Sequence, residues 1–413
     1  MTSRGPTSHR RRIEPTPRPS HGHGHGHGHG PADPATRTVR VLLAVLLVPL
    51  ALVAVAGVAL TWPDRQQVPT TDVGFGQQPV RGEVTETSMS PCSVGATSGR
   101  ADCTALTIRL TDGDLPGSTI RQVLPDEPST PEFAAGDDIV LAYTGGDPTA
   151  PGSYQIVDFQ RGLPMVWLLA LFVAAVLLLG RWKGVASLAA LGFSFAILLG
   201  YVVPAILAGS SPLLVGVLGA AVIMFGTLYL SHGLSARTST AVLGTLLSLA
   251  LIGALGVAFA AATRLTGLDT GTQNLIGVLG TGIDARGLLL AGVVIGALGV
   301  LDDVTVTQTS AVWELRRANP SLGTGQLYRA ALRIGRDHIA SAVNTLALAY
   351  AGAALPVLLL FSLSGQSFGT LVTAQDVAQE VVRTLVGSIG LVAAVPVTTI
   401  IAAVVARRDA VPA

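Results

Sequence analysis

Two adjacent acidic residues, Asp302 and Asp303, are the side chains that the sequence places best for chemistry. They follow an uninterrupted apolar run at residues 288–301. As a helix, this run of 14 residues would measure about 21 Å, whereas the hydrocarbon core of a bilayer is about 30 Å thick. The helix is therefore expected to continue through the aspartates and to place them within the membrane or at its edge.

A carboxylate at membrane depth is costly unless it is paired, protonated or hydrated, and such residues mark functional sites by default. The pair therefore predicts a proton or cation pathway, in which repulsion within one cavity would make one carboxylate a proton carrier. Thr307 shares a helical face with Asp303 and joins the candidate site. The preceding Gly292, Gly296 and Gly299 would let a neighbouring helix approach closely. In the alternative, the helix ends early and both aspartates are solvated at the cytoplasmic interface.

A second group of polar residues opens the next apolar segment, where Arg336 and Asp337 precede Asn344. Polar groups on two adjacent spans are what a site at the membrane midplane requires, so these residues are predicted to lie across a cleft from the aspartates. In the alternative, Arg336 anchors the interface, Asp337 favours a helix N-terminus and Asn344 bonds a neighbouring helix. The predicted polar membrane site is Asp302, Asp303, Thr307, Arg336, Asp337 and Asn344.

Membrane helices are the elements that must hold these residues. Of 413 residues, 49% are hydrophobic and 12% are charged, and a soluble globular protein carries roughly twice that charged fraction. The apolar runs predict a polytopic α-helical membrane protein with about eight spans. The spans are residues 39–61, 164–180, 185–208, 212–230, 240–262, 287–312, 339–361 and 381–405. The net charge of +1 gives no reason to expect a nucleic-acid partner.

The basic residues support this count through the positive-inside rule. With eight spans, one side of the membrane receives Arg10, Arg11, Arg12, Arg37, Arg40, Arg181, Lys183, Arg237, Arg316, Arg317, Arg329, Arg333, Arg336, Arg407 and Arg408. The short loops on the other side receive Arg264 and Arg286. Both termini are therefore expected in the cytoplasm, in a multi-pass protein of the inner or plasma membrane.

Composition divides the rest of the chain. Residues 1–38 form a low-complexity tail with His-Gly repeats, expected to be disordered, although such repeats can also bind zinc, nickel or copper weakly. The first span, 39–61, is followed by residues 62–163, where short alternating stretches between Gly, Pro and Asp turns predict an extracytoplasmic β-barrel or OB-like domain. Residues 164–405 form a seven-helix membrane domain, and residues 406–413 form a cytoplasmic tail.

The two cysteines, Cys92 and Cys103, both fall in the predicted extracytoplasmic segment. A disulfide is expected there, with two free thiols as the alternative. No nucleotide-binding, zinc-hydrolase or serine-hydrolase motif occurs in the sequence, so neither enzymatic activity nor a cofactor or resident metal is predicted.

Several motifs resemble the YibE/F-like family of bacterial membrane proteins. They are Gly-Ala-Leu-Gly-Val-Leu-Asp-Asp-Val-Thr at 296–305, Glu314-Leu315 with Pro320, Ile-Gly-Arg-Asp-His at 334–338, Asn-Thr-Leu-Ala-Leu-Ala-Tyr-Ala-Gly at 344–352 and the segment 231–245. The resemblance covers about residues 160–405, and segments 136–141 and 154–161 resemble the β domain that precedes the family's membrane helices. It implies the fold and topology, and it supplies neither a substrate nor catalytic residues.

Two functions of different classes fit these features. The first is a transporter linked to a proton or cation, with a small ion or metabolite as its ligand. The second is a membrane scaffold or sensor whose outer β domain binds an extracytoplasmic protein, with polar residues merely joining helices. The lipid bilayer is a partner in both.

Overall fold

The computed structural model describes residues 35–64, 78–92, 102–279, 282–363, 365 and 367–409. The predicted tail with its His-Gly repeat lies outside the described residues, apart from residues 35–38. The described chain is mostly helical and contains one small antiparallel sheet.

The helices follow the apolar runs, and polar side chains begin several of them. Thr36, Ser235 and Asp284 each accept a hydrogen bond from a backbone N–H in the first turn of the helix that follows, as N-terminal caps do. The helices are α1 Arg37–Leu60, α2 Gly162–Ile197, α3 Val203–Leu207, α4 Pro212–His232, α5 Ala236–Ala262, α6 Thr270–Leu279, α7 Ala285–Ala318, α8 Thr324–Ala353, α9 Leu355–Leu363, α10 Phe368–Thr373 and α11 Gln375–Arg408. A π-helical turn, Leu198–Val202, joins α2 to α3.

Within the described residues, 6 helices are long and apolar enough to cross a membrane: α1, α2 continued through α3, α4, α5, α7 and α11. The count of eight spans therefore stays a prediction. α2 contains a break at Arg181, whose φ is 50°, and beyond it Gly184 lies against the backbone carbonyl of Val176. The chain thus folds back between the second and third predicted spans. The seventh predicted span is divided between the end of α8 and α9.

The sheet contains five strands in the order β3-β2-β1-β4-β5, and each neighbouring pair is antiparallel. The strands are β1 Gln78–Pro91, β2 Asp102–Leu110, β3 Thr119–Pro125, β4 Asp138–Tyr143 and β5 Tyr154–Phe159. The sheet curls, because Gln122 of β3 donates to the carbonyls of Pro151 and Tyr154 at the opposite edge, at 2.5 and 2.9 Å. An antiparallel β domain is present, and its OB-like character stays a prediction.

Alternating side chains give the sheet its own hydrophobic core. Val84, Ile108 and Ile139 are fully buried within it. Cys92, just after β1, is bonded to Cys103 in β2, and their Cα atoms are 5.3 Å apart. The disulfide thus ties together the ends of two paired strands.

The helical core lies among α4, α5, α7 and α11, and α1 packs on α4. Met224, Ile252, Leu301 and Ala394 contribute side chains that are almost completely buried. Small residues bring the backbones close together, as is typical of membrane helices. A Cβ on Gly216 of α4 would lie 2.7 Å from the Cβ and 3.1 Å from the Cα of Ala291 on α7.

We expect Gly216→Ala to lower the melting temperature of the purified protein in detergent. The added methyl group meets the backbone of α7 rather than a flexible side chain, and overpacking of this kind costs about 1–3 kcal/mol. Gly253→Ala in α5 is the matched control, because nothing lies within 4 Å of its Cβ position. The control should be neutral or stabilising, and an equal response of the two variants would contradict the close α4–α7 contact.

Candidate functional site

The helix that carries the two aspartates does not end early. α7 starts after the cap at Asp284, which accepts from the N–H of Gly287 at 3.0 Å, and continues to Ala318. Its 34 residues measure about 51 Å as a helix. Arg316 and Arg317 lie in its last turn, where basic side chains favour the helix C-terminus. Asp302 and Asp303 consequently lie near the middle of a helix that is long enough to cross a membrane.

Asp302 points towards α4. The hydroxyl of Thr227 donates to its Oδ2 at 3.2 Å. Its Oδ1 is buried and, within the described residues, accepts no hydrogen bond. The carboxylate of Asp302 therefore lies between two helices with one of its two oxygens unused as an acceptor.

A buried pair of hydroxyl groups continues this polar layer towards α5. The hydroxyls of Thr245 and Thr305 are 2.8 Å apart, and Thr305 also donates to the main-chain carbonyl of Asp302 at 3.3 Å. Both threonine residues are completely buried. Helices α4, α5 and α7 are thus joined by polar contacts at the level of Asp302.

Asp303 faces a different environment, because consecutive residues on a helix point about 100° apart. It is exposed and lines a groove of about 410 Å³ between α7 and α8. The polar side chains that line this groove are Asp303, Thr307, Gln308, His338, Ser341 and Thr345. Carboxylate and hydroxyl oxygens suit a hard cation, and a carboxylate with an imidazole can pass a proton.

Gln308 and Gly335 hold α8 against α7 at one end of the groove. The Nε2 of Gln308 donates to the carbonyl of Ala331 at 2.8 Å. A Cβ on Gly335 would lie 2.6 Å from the Oε1 of Gln308 and 2.5 Å from a methyl group of Val395 on α11. A residue without a side chain is therefore needed at 335, in the middle of the Ile-Gly-Arg-Asp-His motif.

The structure brings some of the predicted site residues together and separates others. Asp303 and Thr307 share the groove, whereas Asp302 faces α4. Arg336, Asp337 and Asn344 are exposed on α8, and none of them lines the groove. Among the described ion pairs, none involves Arg336.

His338, Ser341 and Thr345 were not predicted as residues of the site. These three residues are spaced three and four apart, so they share a face that points into the groove. The predicted residues Asp337 and Asn344 each precede one of these residues by one position, so they point about 100° away from it. Of the three glycines before the aspartates, Gly296 contacts a neighbouring helix, since its Cβ position is 2.8 Å from the hydroxyl of Tyr350.

Comparison with known proteins places the site within a family. A family model described as YibE/F-like protein matches residues 168–408, which is more than half of the chain. The chain belongs to the YibE/F-like family. No curated protein matches the chain. No solved structure matches it.

The part of this YibE/F-like protein that matches the family contains both aspartates and the groove, whereas the sheet precedes it. The resemblance seen in the motifs is thereby confirmed. Within the described residues, no group of three or more His, Cys, Asp or Glu side chains is placed to hold a metal ion. The groove instead offers one carboxylate, one imidazole and several hydroxyl groups.

A double-mutant cycle tests the contact between Thr227 and Asp302. Thr227→Val should lower the free energy of unfolding by about 1–3 kcal/mol, because it leaves both carboxylate oxygens of Asp302 without a hydrogen bond. In an Asp302→Leu background the same substitution should change the free energy of unfolding little, because the carboxylate that Thr227 contacts is already absent. Thr399→Val is the control, because the hydroxyl of Thr399 is buried and donates to its own helix at Val395. A cost that is equal in both backgrounds would refute the coupling.

Proposed function

We propose that this YibE/F-like protein is a multi-pass transporter that moves a proton or a cation, alone or coupled to a small solute, along the α7–α8 groove. The position of Asp303 carries the proposal. It is an exposed carboxylate halfway along a membrane-length helix, and it shares a polar groove with His338. Carboxylates in membrane helices that face a hydrated cavity mark ion and proton pathways.

The two aspartates have different roles in this proposal. Asp303 binds the moving ion, since its carboxylate is open to the groove. Asp302 is held by Thr227 on the other side of α7, and an ion reaches it only when α4 and α7 move apart. Two carboxylates that point about 100° apart on one helix, towards different neighbours, suit alternating access, in which one helix bundle rocks against another around a fixed site.

The other polar groups of the groove complete the coordination of the ion. The imidazole of His338 can both accept and donate a proton. The hydroxyls of Thr307, Ser341 and Thr345 replace part of the hydration shell of a cation.

The proposed topology places both termini in the cytoplasm of a cell whose inner or plasma membrane holds the protein. The distribution of basic residues supports this orientation. The disulfide between Cys92 and Cys103 supports a sheet outside the membrane, where oxidising conditions preserve such bonds. The lipid bilayer is then the partner of the exposed apolar side chains of α1 and α2.

A scaffold or sensor function is the second candidate. The observation that favours it is a surface cavity of about 270 Å³ on the sheet, lined by Leu124 and Phe133 together with the acidic Asp126 and Glu132. A concave surface that combines apolar and charged side chains can receive a protein partner. In this alternative the groove residues join α7 to α8 and move no ion.

Liposomes that contain the purified protein and enclose a pH-sensitive dye separate the two functions. After a proton gradient is imposed, alkali, alkaline-earth and transition-metal cations are added one at a time. We expect the wild-type protein to dissipate the gradient, with at least one cation, faster than protein-free liposomes do. Asp303→Asn should return the rate to that of protein-free liposomes.

Glu314→Gln is the matched control, because Glu314 is an exposed acidic residue of the same helix and does not line the groove. Its rate should equal that of the wild type. An active Asp303→Asn protein would exclude Asp303 as the carrier. A wild-type protein that is monodisperse and inactive with every cation would contradict transport and favour the scaffold function.

A further inference from the structure

A second cavity lies close to the groove and extends the possible path of an ion. Its volume is about 240 Å³, and it is formed by the end of α8, α9 and the first turns of α11. Its polar lining comes from Tyr350, Asp376, Glu380 and Thr384. Glu380 is paired with Arg383 at 2.6 Å, and Asp376 accepts a hydrogen bond from Thr270 at 3.3 Å.

The two cavities use opposite faces of α8. Ser341, Thr345 and Ala349 line the groove, whereas Ala347, Tyr350 and further residues line the second cavity. In a helix of 3.6 residues per turn these two sets point in opposite directions. Since their positions overlap along the helix, α8 forms the wall between the cavities.

Tyr350 connects the two sides of this wall. It is half-buried and lines the second cavity, yet its hydroxyl reaches α7, where it lies 2.8 Å from the Cβ position of Gly296. Gly296 is one turn from Gly299, which lines the end of the groove, and it lies on the same face of α7. The phenol ring therefore crosses from one cavity to the end of the other.

We infer that the two cavities are the two halves of one ion pathway and that the side chain of Tyr350 is the barrier between them. The inference rests on the proposed function and adds the route of the ion. Gly296 is part of the barrier, because a side chain there would displace the hydroxyl of Tyr350. Of its two carboxylates, Glu380 is paired with Arg383, so Asp376 supplies the net negative charge that favours cations over anions in the second cavity.

Cysteine labelling from each side of the membrane tests the barrier without a transport assay. The chain has 2 cysteines, and these are bonded to each other, so a new cysteine is the reactive thiol. Ser341→Cys reports the groove and Thr384→Cys reports the second cavity. With a membrane-impermeant maleimide, we expect each variant to be labelled from one side, and the two sides to be opposite.

Tyr350→Ala should remove the barrier, so that Ser341→Cys is labelled from both sides. Tyr350→Phe keeps the ring and should retain labelling from one side. Tyr328→Ala is the matched control, since Tyr328 is a half-buried tyrosine of the same helix and lines neither cavity. Should the Tyr350→Ala protein fail to assemble, Tyr350→Val is labelled in its place.

Labelling of Ser341→Cys from both sides with Tyr350 intact would overturn the inference, as would labelling that stays one-sided in both truncated variants. If the two cysteine variants are labelled from opposite sides but the liposomes show no ion flux, the barrier is supported and the proposed transport is contradicted. If ions cross the liposome membrane but Ser341→Cys is labelled from both sides, transport is supported and Tyr350 is not the barrier.

Discussion

The arrangement of the helical domain depends on the need to accommodate two carboxylates in the middle of α7, directly after its apolar run. Desolvation of each carboxylate costs several kcal/mol, which the surroundings must offset. Because Asp302 and Asp303 are consecutive and point about 100° apart, no rotation of α7 brings both carboxylates into the same polar environment. The helix turns Asp302 towards the hydroxyl of Thr227 and leaves Asp303 in the groove.

Close contacts between helices follow from this arrangement. A hydroxyl layer at Thr245 and Thr305 links α5 to α7 beside Asp302, and such short side chains reach each other when the backbones are near. Gly216 allows α4 to approach α7, and Gly335 allows α8 to approach Gln308. Gly216 therefore sets the approach of α4, the helix that holds Asp302, and Gly335 sets the approach of α8 on the side of the groove.

Much of the fold could be predicted from the sequence, because length and composition decide it. The apolar run before Asp302 is too short to cross a membrane, so α7 was expected to continue beyond it. The basic residues at Arg181 and Lys183 marked the position where the chain reverses in α2. The division at Ala354 was missed, because Leu355 and Pro356 lie within an apolar run. Proline at the start of α9 begins a new helix there.

The face of α8 that lines the groove could not be predicted in the same way. Polar residues at 337, 338, 341, 344 and 345 surround most of the helix, so helical periodicity fits more than one face. The rotation is decided by tertiary packing, in which Gly335 fits against Gln308 and Val395. The separation of the two carboxylates follows from the step of about 100° between consecutive helical residues, so the repulsion expected if both faced one cavity does not apply to them.

The most direct test of the account compares the melting temperatures of the wild type and Asp303→Asn, measured by light scattering. Both proteins are melted with each cation of a panel and between about pH 5 and pH 8, where histidine titrates. A ligand that binds the native state raises its melting temperature. If Asp303 binds a proton or a cation in the folded protein, the difference between the two proteins changes with pH or with at least one cation. A difference that stays constant under every condition would contradict the account.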